Sequence, residues 1–498
     1  MSEVLSARPA VLPFLLWKTP PGLELILAQE GVAFEVVREA HPFAFRGGRF
    51  VLFDGRGESA SAMRSLLTSA HVAIDVDSLR RGEPIDPFQA LIDDQPMRGA
   101  WNIQGLTLRE RVARRPKAWI RERLIGRLRE EVVSRDGVWM RLAPFPHPYR
   151  SAFNLRVDLD EPEAEDYFRF ALGRNLLDDC TTHFVSTHAY QDEREVLANL
   201  AGRDAQSHGH YHYVYRDPEA NLRNLERADL ILRDRGFEVE GFAGPHGRWN
   251  ASVDDAMESL GYSYSSDFQL GYDDYPFFPW KHGRFSRILQ VPVHPICEGL
   301  FLDAGATDGR GVAAHLAAVV DEKIDAGEPA FVYGHPERRL GRMPEVMLSL
   351  AAALDRRPLV WRTTLTEMAR WWRWRAARKW IAVPRGPGQV EVQFDDWDSG
   401  YPLALEVQRG DFRCLLPIAG PKMHLDLTAL AYERRPVPAR RSVRPPSVDR
   451  RPASLRQLVR QAIDWETVTP IEEISDSTIA GRVKKGLRRW RHQRTGSR

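Results

Sequence analysis

Three histidines at alternate positions form the part of this sequence with the clearest capacity for chemistry. They are His208, His210 and His212 in the stretch SHGHYHYVY, residues 207–215. In a helix His208 and His212 would share one face and chelate one cation, whereas in a strand all three would point the same way. A catalytic divalent cation needs only two imidazoles, a carboxylate and an open position for water. The alternative is a polar helix start with one buried, hydrogen-bonded imidazole, and the pattern alone leaves both open.

A pair of carboxylates follows a strand-like run earlier in the chain. In FNLRVDLD, Asp158 and Asp160 are two residues apart and would share one face of a continuing strand. At the mouth of a barrel, one such carboxylate can bind a cation while the other takes part in proton transfer. The alternative is an ordinary loop after a strand, where aspartate is common.

A third segment, GFAGPHGRWN, combines turn residues with a cation and an aromatic ring. Pro245 and Gly247 predict an irregular turn after the strand-like run FEVEGFA. Arg248 and Trp249 would offer a sugar-like ligand a charged group and a flat apolar face. Alternatively, the turn is a tight connection and Trp249 belongs to the core.

Further polar residues follow other strand-like runs. YSSDF supplies Asp267, VYGHPERR supplies His335, and QVPVHPICEG places His294 and Cys297 at another strand end. A single histidine after a strand is more often structural than catalytic. His315, on the face of an apolar helix, is assigned to that structural class.

Alternating strand and helix patterns must position these residues. Between about 150 and 375 the strand-like runs are FNLRVDLD, THFVSTH, FEVEGFAGP, RILQVPVHP and AFVYGHP, and GVAAHLAAVVDEKIDAG is a helical pattern between two of them. Repeated strand–helix units indicate a parallel sheet or barrel. Because parallel α/β barrels collect their chemistry at the strand ends, we expect the polar residues there to form the site.

The order of these segments resembles the motifs of the NodB-type polysaccharide deacetylases, carbohydrate esterase family 4. The resemblance covers about residues 150–375, slightly less than half of the chain. It implies a distorted (β/α) barrel with one divalent metal ion. Two histidines and a carboxylate suit Zn²⁺ and also accept Co²⁺, Ni²⁺ or Fe²⁺.

The resemblance also implies a role for each matched residue. Asp160, His208 and His212 would bind the metal, and Asp158 would accept a proton from the attacking water. The oxyanion would be stabilised by the metal and by a backbone N–H near the 245–247 turn. His335 would protonate the departing amine, which is too poor a leaving group to depart as an anion.

The remaining matched residues orient the machinery or contact the substrate. Asp267 would orient His335 in the useful tautomer. The family's third motif usually contains an arginine that orients the base; here Ala243 takes that place, so either Arg248 or Arg156 would substitute for it, or the base is less constrained. The candidate substrate-binding residues are Pro245, Gly247, Arg248, Trp249 and His294.

The activity implied by the resemblance is removal of N-acetyl groups from a carbohydrate. Because the third motif is altered, two alternatives stay open. One is hydrolysis of a non-sugar C–N bond, such as a cyclic amide or imide, on the same barrel. The other is a catalytically impaired relative that only binds carbohydrate.

The rest of the chain predicts additional modules around a barrel at 146–380. Residues 1–145 read as a small N-terminal α/β domain and 386–434 as a small C-terminal β module. Residues 435–498 read as a Pro/Arg-rich linker, a helix and a basic tail. The tail and WWRWRAARKW could contact nucleic acid or an anionic membrane, but a solvated helix with a disordered end is the favoured interpretation.

Composition limits the classes of protein to which the chain can belong. The formal net charge is only +2, and the three cysteines are far apart, so neither a disulfide framework nor a zinc finger is predicted. The apolar runs are too short for a membrane span, and the N-terminal run lacks the features of a signal peptide. We therefore expect a cytoplasmic protein.

Overall fold

The computed structural model describes residues 11–38, 49–56, 67, 71–135, 137–174, 176–190, 194–306, 308–337, 339–434, 443–450, 479, 482–483 and 485–486. The helix predicted between the linker and the basic tail, and most of that tail, lie outside these residues. Within the described chain, no helix combines the length and the apolar character needed to cross a bilayer.

The N-terminal region is an α/β layer followed by a hairpin and a long helix. Its strands are β1 (Val11–Trp17), β2 (Phe34–Val37), β3 (Arg49–Phe53), β4 (Val72–Asp75), β5 (Pro96–Ile103), β6 (Leu106–Ala113) and β7 (Trp139–Leu142). Its helices are α1 (Pro21–Glu30), α2 (Asp77–Arg80), α3 (Pro87–Leu91) and α4 (Lys117–Val133). Strands β1 to β4 pair in parallel, and β5 and β6 form an antiparallel hairpin.

The middle region contains the strands of the predicted barrel. They are β8 (Ser151–Leu159), β9 (Thr181–Val185), β10 (Asp204–Ser207), β11 (Gly241–Phe242), β12 (Tyr264–Ser265), β15 (Leu289–Gln290), β16 (Pro329–Gly334) and β17 (Val360–Arg362). A small antiparallel ribbon, β13 (Trp280–Lys281) and β14 (Arg284–Phe285), lies between β12 and β15 in the sequence.

These strands pair in parallel in the order β15-β12-β11-β10-β9-β8-β16, and β17 also pairs with β8. The ends of this sheet approach each other, because the backbone N–H of His294, just after β15, donates to the Phe331 carbonyl of β16 at 2.8 Å. Every residue of β8 is buried, as expected for a parallel strand covered on both faces. The predicted distorted (β/α) barrel is therefore confirmed, although β11 and β15 are shorter than their apolar runs suggested.

Helices connect and cover the barrel strands. They are α5 (Glu165–Phe170), α6 (Thr187–Tyr190), α7 (Arg194–Ala198), α8 (Pro218–Asp234), α9 (Ala251–Leu260), α10 (Glu298–Asp303), α11 (Arg310–Ala326), α12 (Pro344–Asp355) and α13 (Leu365–Ala376). The Asp217 and Asn250 side chains accept backbone N–H bonds at the starts of α8 and α9. The predicted apolar face of α11 is buried, and Gly327 ends this helix with φ 71°.

The C-terminal strands extend the sheets of the N-terminal region. They are β18 (Trp380–Gly386), β19 (Gln389–Phe394), β20 (Ala404–Arg409), β21 (Phe412–Pro417), β22 (Lys422–Asp426), β23 (Glu433–Arg434) and β24 (Ser447–Val448). β18 pairs with β1, β20 with β7, and β24 with β5. The segments that sequence patterns separate as 1–145 and 386–434 thus share sheets, and part of the predicted linker is a strand.

Candidate active site

The two histidines and one carboxylate predicted to bind a cation lie together at the carboxyl ends of the barrel strands. Asp160 follows β8, and His208 and His212 follow β10. Oδ1 of Asp160 is 3.3 Å from Nε2 of His208 and 3.1 Å from Nε2 of His212. One donor atom from each residue lies within 4.8 Å of the others, which is close enough to share one ion.

The histidine segment forms an irregular loop instead of a helix or a strand. Gly209 has φ 79°, a conformation that β-carbon-bearing residues rarely adopt, and it turns the chain between the first two histidines. The Asn224 side chain of α8 accepts the N–H of Tyr211 at 2.7 Å and so fixes the loop. His210 is buried, its Nδ1 is 3.0 Å from the Thr187 hydroxyl, and burial lowers its pKa to about 3. His210 is therefore held away from the other two as a neutral structural residue.

The donor groups have the polarity that a divalent cation requires. Nδ1 of His208 lies 2.7 Å from the Ala243 carbonyl, to which only a protonated Nδ1 can donate, so Nε2 keeps its lone pair toward Asp160. Oδ1 of Asp160 is buried and makes no hydrogen bond of ordinary geometry with the residues that the structure describes. Burial disfavours charge on Asp160, but the neighbouring histidines, when protonated, outweigh it and hold its pKa well below the usual value. When His208 is neutral, its Nε2 lone pair and the ionised carboxylate, with His212 beside them, fit a cation of the zinc type.

The second carboxylate of the pair is held by an arginine from its own strand. Nε and Nη2 of Arg156 contact the two oxygens of Asp158 at 2.7 and 2.5 Å. Both side chains are buried. Burial disfavours the charge on Asp158, but Arg156 outweighs it and lowers the pKa of Asp158. Of the two arginines considered for orienting the base, Arg156 makes this contact, whereas Arg248 lies over the Tyr213 ring at 4.9 Å.

His335 faces the same centre from the end of β16. Its Nε2 is 3.8 Å from Oδ2 of Asp160, and its Nδ1 is 2.8 Å from the buried carboxylate of Glu298 at the start of α10. Burial disfavours the imidazolium, but Glu298 outweighs it and raises the pKa of His335 well above its usual value. Sequence reasoning missed Glu298, although it directly follows Cys297 at a strand end that had been singled out.

Asp267 was predicted to orient His335, and this prediction is wrong. Asp267 is fully buried behind the third-motif turn, where its Oδ1 accepts the Gly244 N–H at 2.7 Å and its other oxygen accepts from Ser265. Burial raises its pKa to about 7. The segment after β12 enters beneath the turn beside Arg156, while His335 is approached by the segment after β15. Asp267 therefore shapes the turn.

The third-motif turn is tight, and two of its amides donate within the turn itself. A β-carbon at Gly244 would lie 2.0 Å from the Arg248 carbonyl, and Gly247, with φ 61°, packs against the Phe268 ring. The N–H groups of Gly247 and Arg248 donate to carbonyls within the turn. These two donors are thus not free to stabilise an oxyanion. Pro245 is buried in the turn.

His294 was predicted to contact substrate, but it belongs to a separate buried polar cluster. Its Nδ1 is 3.0 Å from the Asp273 carboxylate, which also pairs with Lys323 at 3.1 Å. Its Nε2 is 3.4 Å from Nε2 of His315, so the residue assigned a structural role is a member of the same cluster. Cys297, three residues later, instead lies beside Glu298 and His335.

The N-terminal hairpin contributes to the wall of the site, which sequence reasoning did not anticipate. The N–H of Ala113, at the end of β6, donates to the Phe268 carbonyl at 3.1 Å. Burial raises the pKa of Glu110 on β6 to about 7, although the charges of His335 and Arg248 act in the opposite direction. Strand β6 therefore lies over the carboxyl ends of the barrel strands, next to the proposed proton donor.

No protein-family model and no curated protein matches the chain. Similar solved structures include proteins assigned as polysaccharide deacetylases from Mycobacterium smegmatis (18% identity, TM-score 0.37) and Pseudomonas aeruginosa PAO1 (21%, 0.38), and the allantoinase PuuE (19%, 0.38). Each covers 46% of this chain and 93% of its own. With identities and TM-scores this low, the likeness concerns fold alone, and the proposals below rest on side-chain geometry.

Proposed function

We propose that the chain is a metal-dependent hydrolase that removes N-acetyl groups from a carbohydrate. The observation that carries the proposal is the convergence of Asp160, His208 and His212 beside two groups with opposite electrostatic tuning, Asp158 and His335. Pairs of titratable groups whose surroundings separate their pKa values are typical of acid–base catalysis. A divalent cation at the three donors would supply a Lewis acid that activates water and polarises a carbonyl.

The chain's own residues would perform the proton transfers of amide hydrolysis. Asp158, kept ionised by Arg156, accepts the proton of the attacking water. His335, kept protonated by Glu298, donates a proton to the amide nitrogen as the C–N bond breaks. Because an amine anion is a very poor leaving group, this second transfer is required for an amide.

Metal content and acetate release in three variants test this assignment. In His208→Ala we expect loss of both bound metal and activity, because one of three donors is removed. In Asp158→Asn we expect metal to be retained and acetate release to fall by about 10²- to 10⁴-fold, the range for losing a general base. Arg356→Ala, at the exposed end of α12, should change neither. Equal activity of metal-free and metal-loaded protein on N-acetylated sugars would contradict the proposal.

A second candidate, hydrolysis of a cyclic amide or imide, is favoured by the altered third motif. The arginine that holds the base comes from β8, so the turn beside Ala243 lacks the arginine of the family pattern. A panel of acetylated glycans, small cyclic amides and imides, assayed with metal-loaded protein, separates the two substrates. Turnover confined to cyclic compounds would favour the second candidate.

A further inference from the structure

A cleft of about 420 Å³ opens beside the proposed metal centre and is lined by three arginines. Arg111 comes from β6, Arg216 from the end of the histidine loop, and Arg248 from the segment after the third-motif turn. The cleft lies close to the centre, because Gln269, which lines it, donates to the His246 carbonyl at 3.0 Å, and the His246 ring lies 4.9 Å from the ring of the ligand His212. Residues from three distant parts of the chain thus bring positive charge to the edge of the site.

Arg111 and Arg248 carry charge that no ion pair neutralises among the described residues, although the carboxylate of Asp94 also lines the cleft. Both arginine side chains are partly buried. Burial and then the charges of Arg248 and Arg216 disfavour the charged form of Arg111 and lower its pKa. The nearby Glu110 is a weak counter-charge, because burial raises its pKa to about 7. Such a cluster is costly unless an anion completes it.

A second feature of the cleft also lacks a partner. Trp249 is only 7% exposed and lines the cleft, yet its indole N–H has no acceptor among the described residues. Buried indole N–H groups normally have an acceptor, and an unsatisfied one costs free energy. A ligand oxygen would satisfy it. A negatively charged group with several hydrogen-bond acceptors would therefore satisfy both the Trp249 N–H and the arginine cluster.

We infer that the cleft binds a phosphoryl group of the substrate, so that the substrate is an N-acylated sugar carrying a phosphate or diphosphate. This inference rests on the proposed hydrolase function. Guanidinium groups bind phosphate through paired N–H bonds, and a dianion balances several arginines better than a single carboxylate does. The contribution of β6 to the cleft gives the N-terminal region a role in substrate selection.

Binding measurements with soluble probes test the inference. Calorimetry uses metal-loaded Asp158→Asn protein, in which turnover should be slowed about 10²- to 10⁴-fold. The three probes are N-acetylglucosamine, N-acetylglucosamine 1-phosphate and UDP-N-acetylglucosamine. We expect the phosphorylated sugars to bind at least about tenfold more tightly than the free sugar, the effect of charged hydrogen bonds. Tighter binding of the nucleotide sugar than of the monophosphate would identify a diphosphate, and the reverse order a monophosphate.

Further substitutions in the Asp158→Asn protein test which residues cause the preference for phosphorylated sugars. Arg111→Gln and Arg248→Gln should each reduce the preference for phosphorylated probes about tenfold, Arg248→Lys should retain part of it, and the exposed control Arg356→Gln should retain all of it. Metal content and thermal unfolding show that each variant is folded. Equal binding of free and phosphorylated sugar, or a preference unchanged in both glutamine variants, would overturn the inference.

The same set of proteins separates failure of this inference from failure of the proposed function. If wild-type protein deacetylates all three probes equally well, the hydrolase stands and the phosphoryl site is wrong. If arginine-dependent binding persists but the wild-type protein releases no acetate from any probe, the phosphoryl site stands and the deacetylase is wrong.

Discussion

At the scale of single residues, each group proposed for proton transfer is held by one buried residue of opposite charge. Arg156 holds Asp158 in its ionised form, and Glu298 favours the imidazolium of His335. These two pairs have opposite effects: one makes a proton acceptor and the other a proton donor at the same pH. The acid–base assignment thus follows from the neighbours and not only from the residue types.

Glu298→Gln should weaken the proton donor without removing metal. The carboxylate raises the pKa of His335, so its loss lowers that pKa, and less of the imidazole is protonated at a given pH. We expect kcat to fall and the alkaline limb of the pH–rate profile to move to lower pH, with metal content unchanged. A pH profile and metal analysis measure both. An unchanged alkaline limb would show that Glu298 does not tune the donor.

His183 should make folding stability depend on pH at a position on β9 away from the donor set. It is fully buried against the Tyr167 hydroxyl at 3.0 Å, and burial lowers its pKa from 6.5 to about 4. Between these values the unfolded chain binds a proton that the folded chain does not, so stability falls as pH falls through this window. The loss should approach roughly 3 kcal/mol near pH 4.

The measurement is urea unfolding of wild type and His183→Gln between pH 7 and 4. The glutamine can still hydrogen-bond Tyr167 but does not titrate, so the part of the pH dependence due to His183 should disappear. Curves that stay parallel over the whole range would contradict a neutral buried His183.

The same residues show which parts of the site a sequence can predict. Asp160, His208, His212 and His335 could be predicted to meet because each follows a parallel strand, and parallel strands end at one edge. The carboxylate that pairs with His335 could not be predicted in this way, because Glu298 and Asp267 both follow strands. Only the path of the chain after β12 and β15 decides between them.

At the scale of elements, the strongly periodic helices and apolar strands were predictable, and the irregular segments were not. Helix α4 and helix α11 closely follow their amphipathic patterns. The sequence of the histidine loop fits both a helical and an extended pattern, but the positive φ of Gly209 is incompatible with either conformation. The pairing of β20 with β7 joins residues about 270 positions apart, and local patterns do not encode such contacts.

The tryptophans of helix α13 belong to the core, although their alternation with arginines could also indicate a binding surface. Trp371 and Trp372 are fully buried, and the Trp371 N–H donates to the Pro144 carbonyl at 2.9 Å. Trp371→Ala should destabilise the fold by about 3–5 kcal/mol, because it leaves a cavity and an unpaired carbonyl. Trp374→Ala, at a half-buried position of the same helix, should cost less. Equal urea midpoints for the two variants would contradict this packing.

At the scale of the whole molecule, buried polar contacts link the barrel to the flanking regions, which share sheets with each other. Glu30 of α1 pairs with Arg121 of α4, and Arg121 also pairs with Asp274, which follows β12 of the barrel, at 2.8 Å. Arg375 of α13 donates to the Leu142 carbonyl of β7 at 3.1 Å. Removing one partner of such a network leaves an uncompensated buried charge, which costs about 3–5 kcal/mol.

A fragment spanning residues 146–380 should therefore fail to fold as an independent barrel, even though it contains every proposed catalytic residue. Cutting there removes β7 and β6 and exposes the apolar face of α13, including Trp371 and Trp372. We expect this fragment to be insoluble, or to bind no metal and unfold without a cooperative transition. A protein of residues 1–450 keeps every strand pairing of β1, β5 and β7 and should behave as the full chain does. Soluble yield, thermal unfolding and metal content compare the two. A soluble 146–380 fragment that binds one metal ion and unfolds cooperatively would show that the contacts with the flanking regions are dispensable for the barrel.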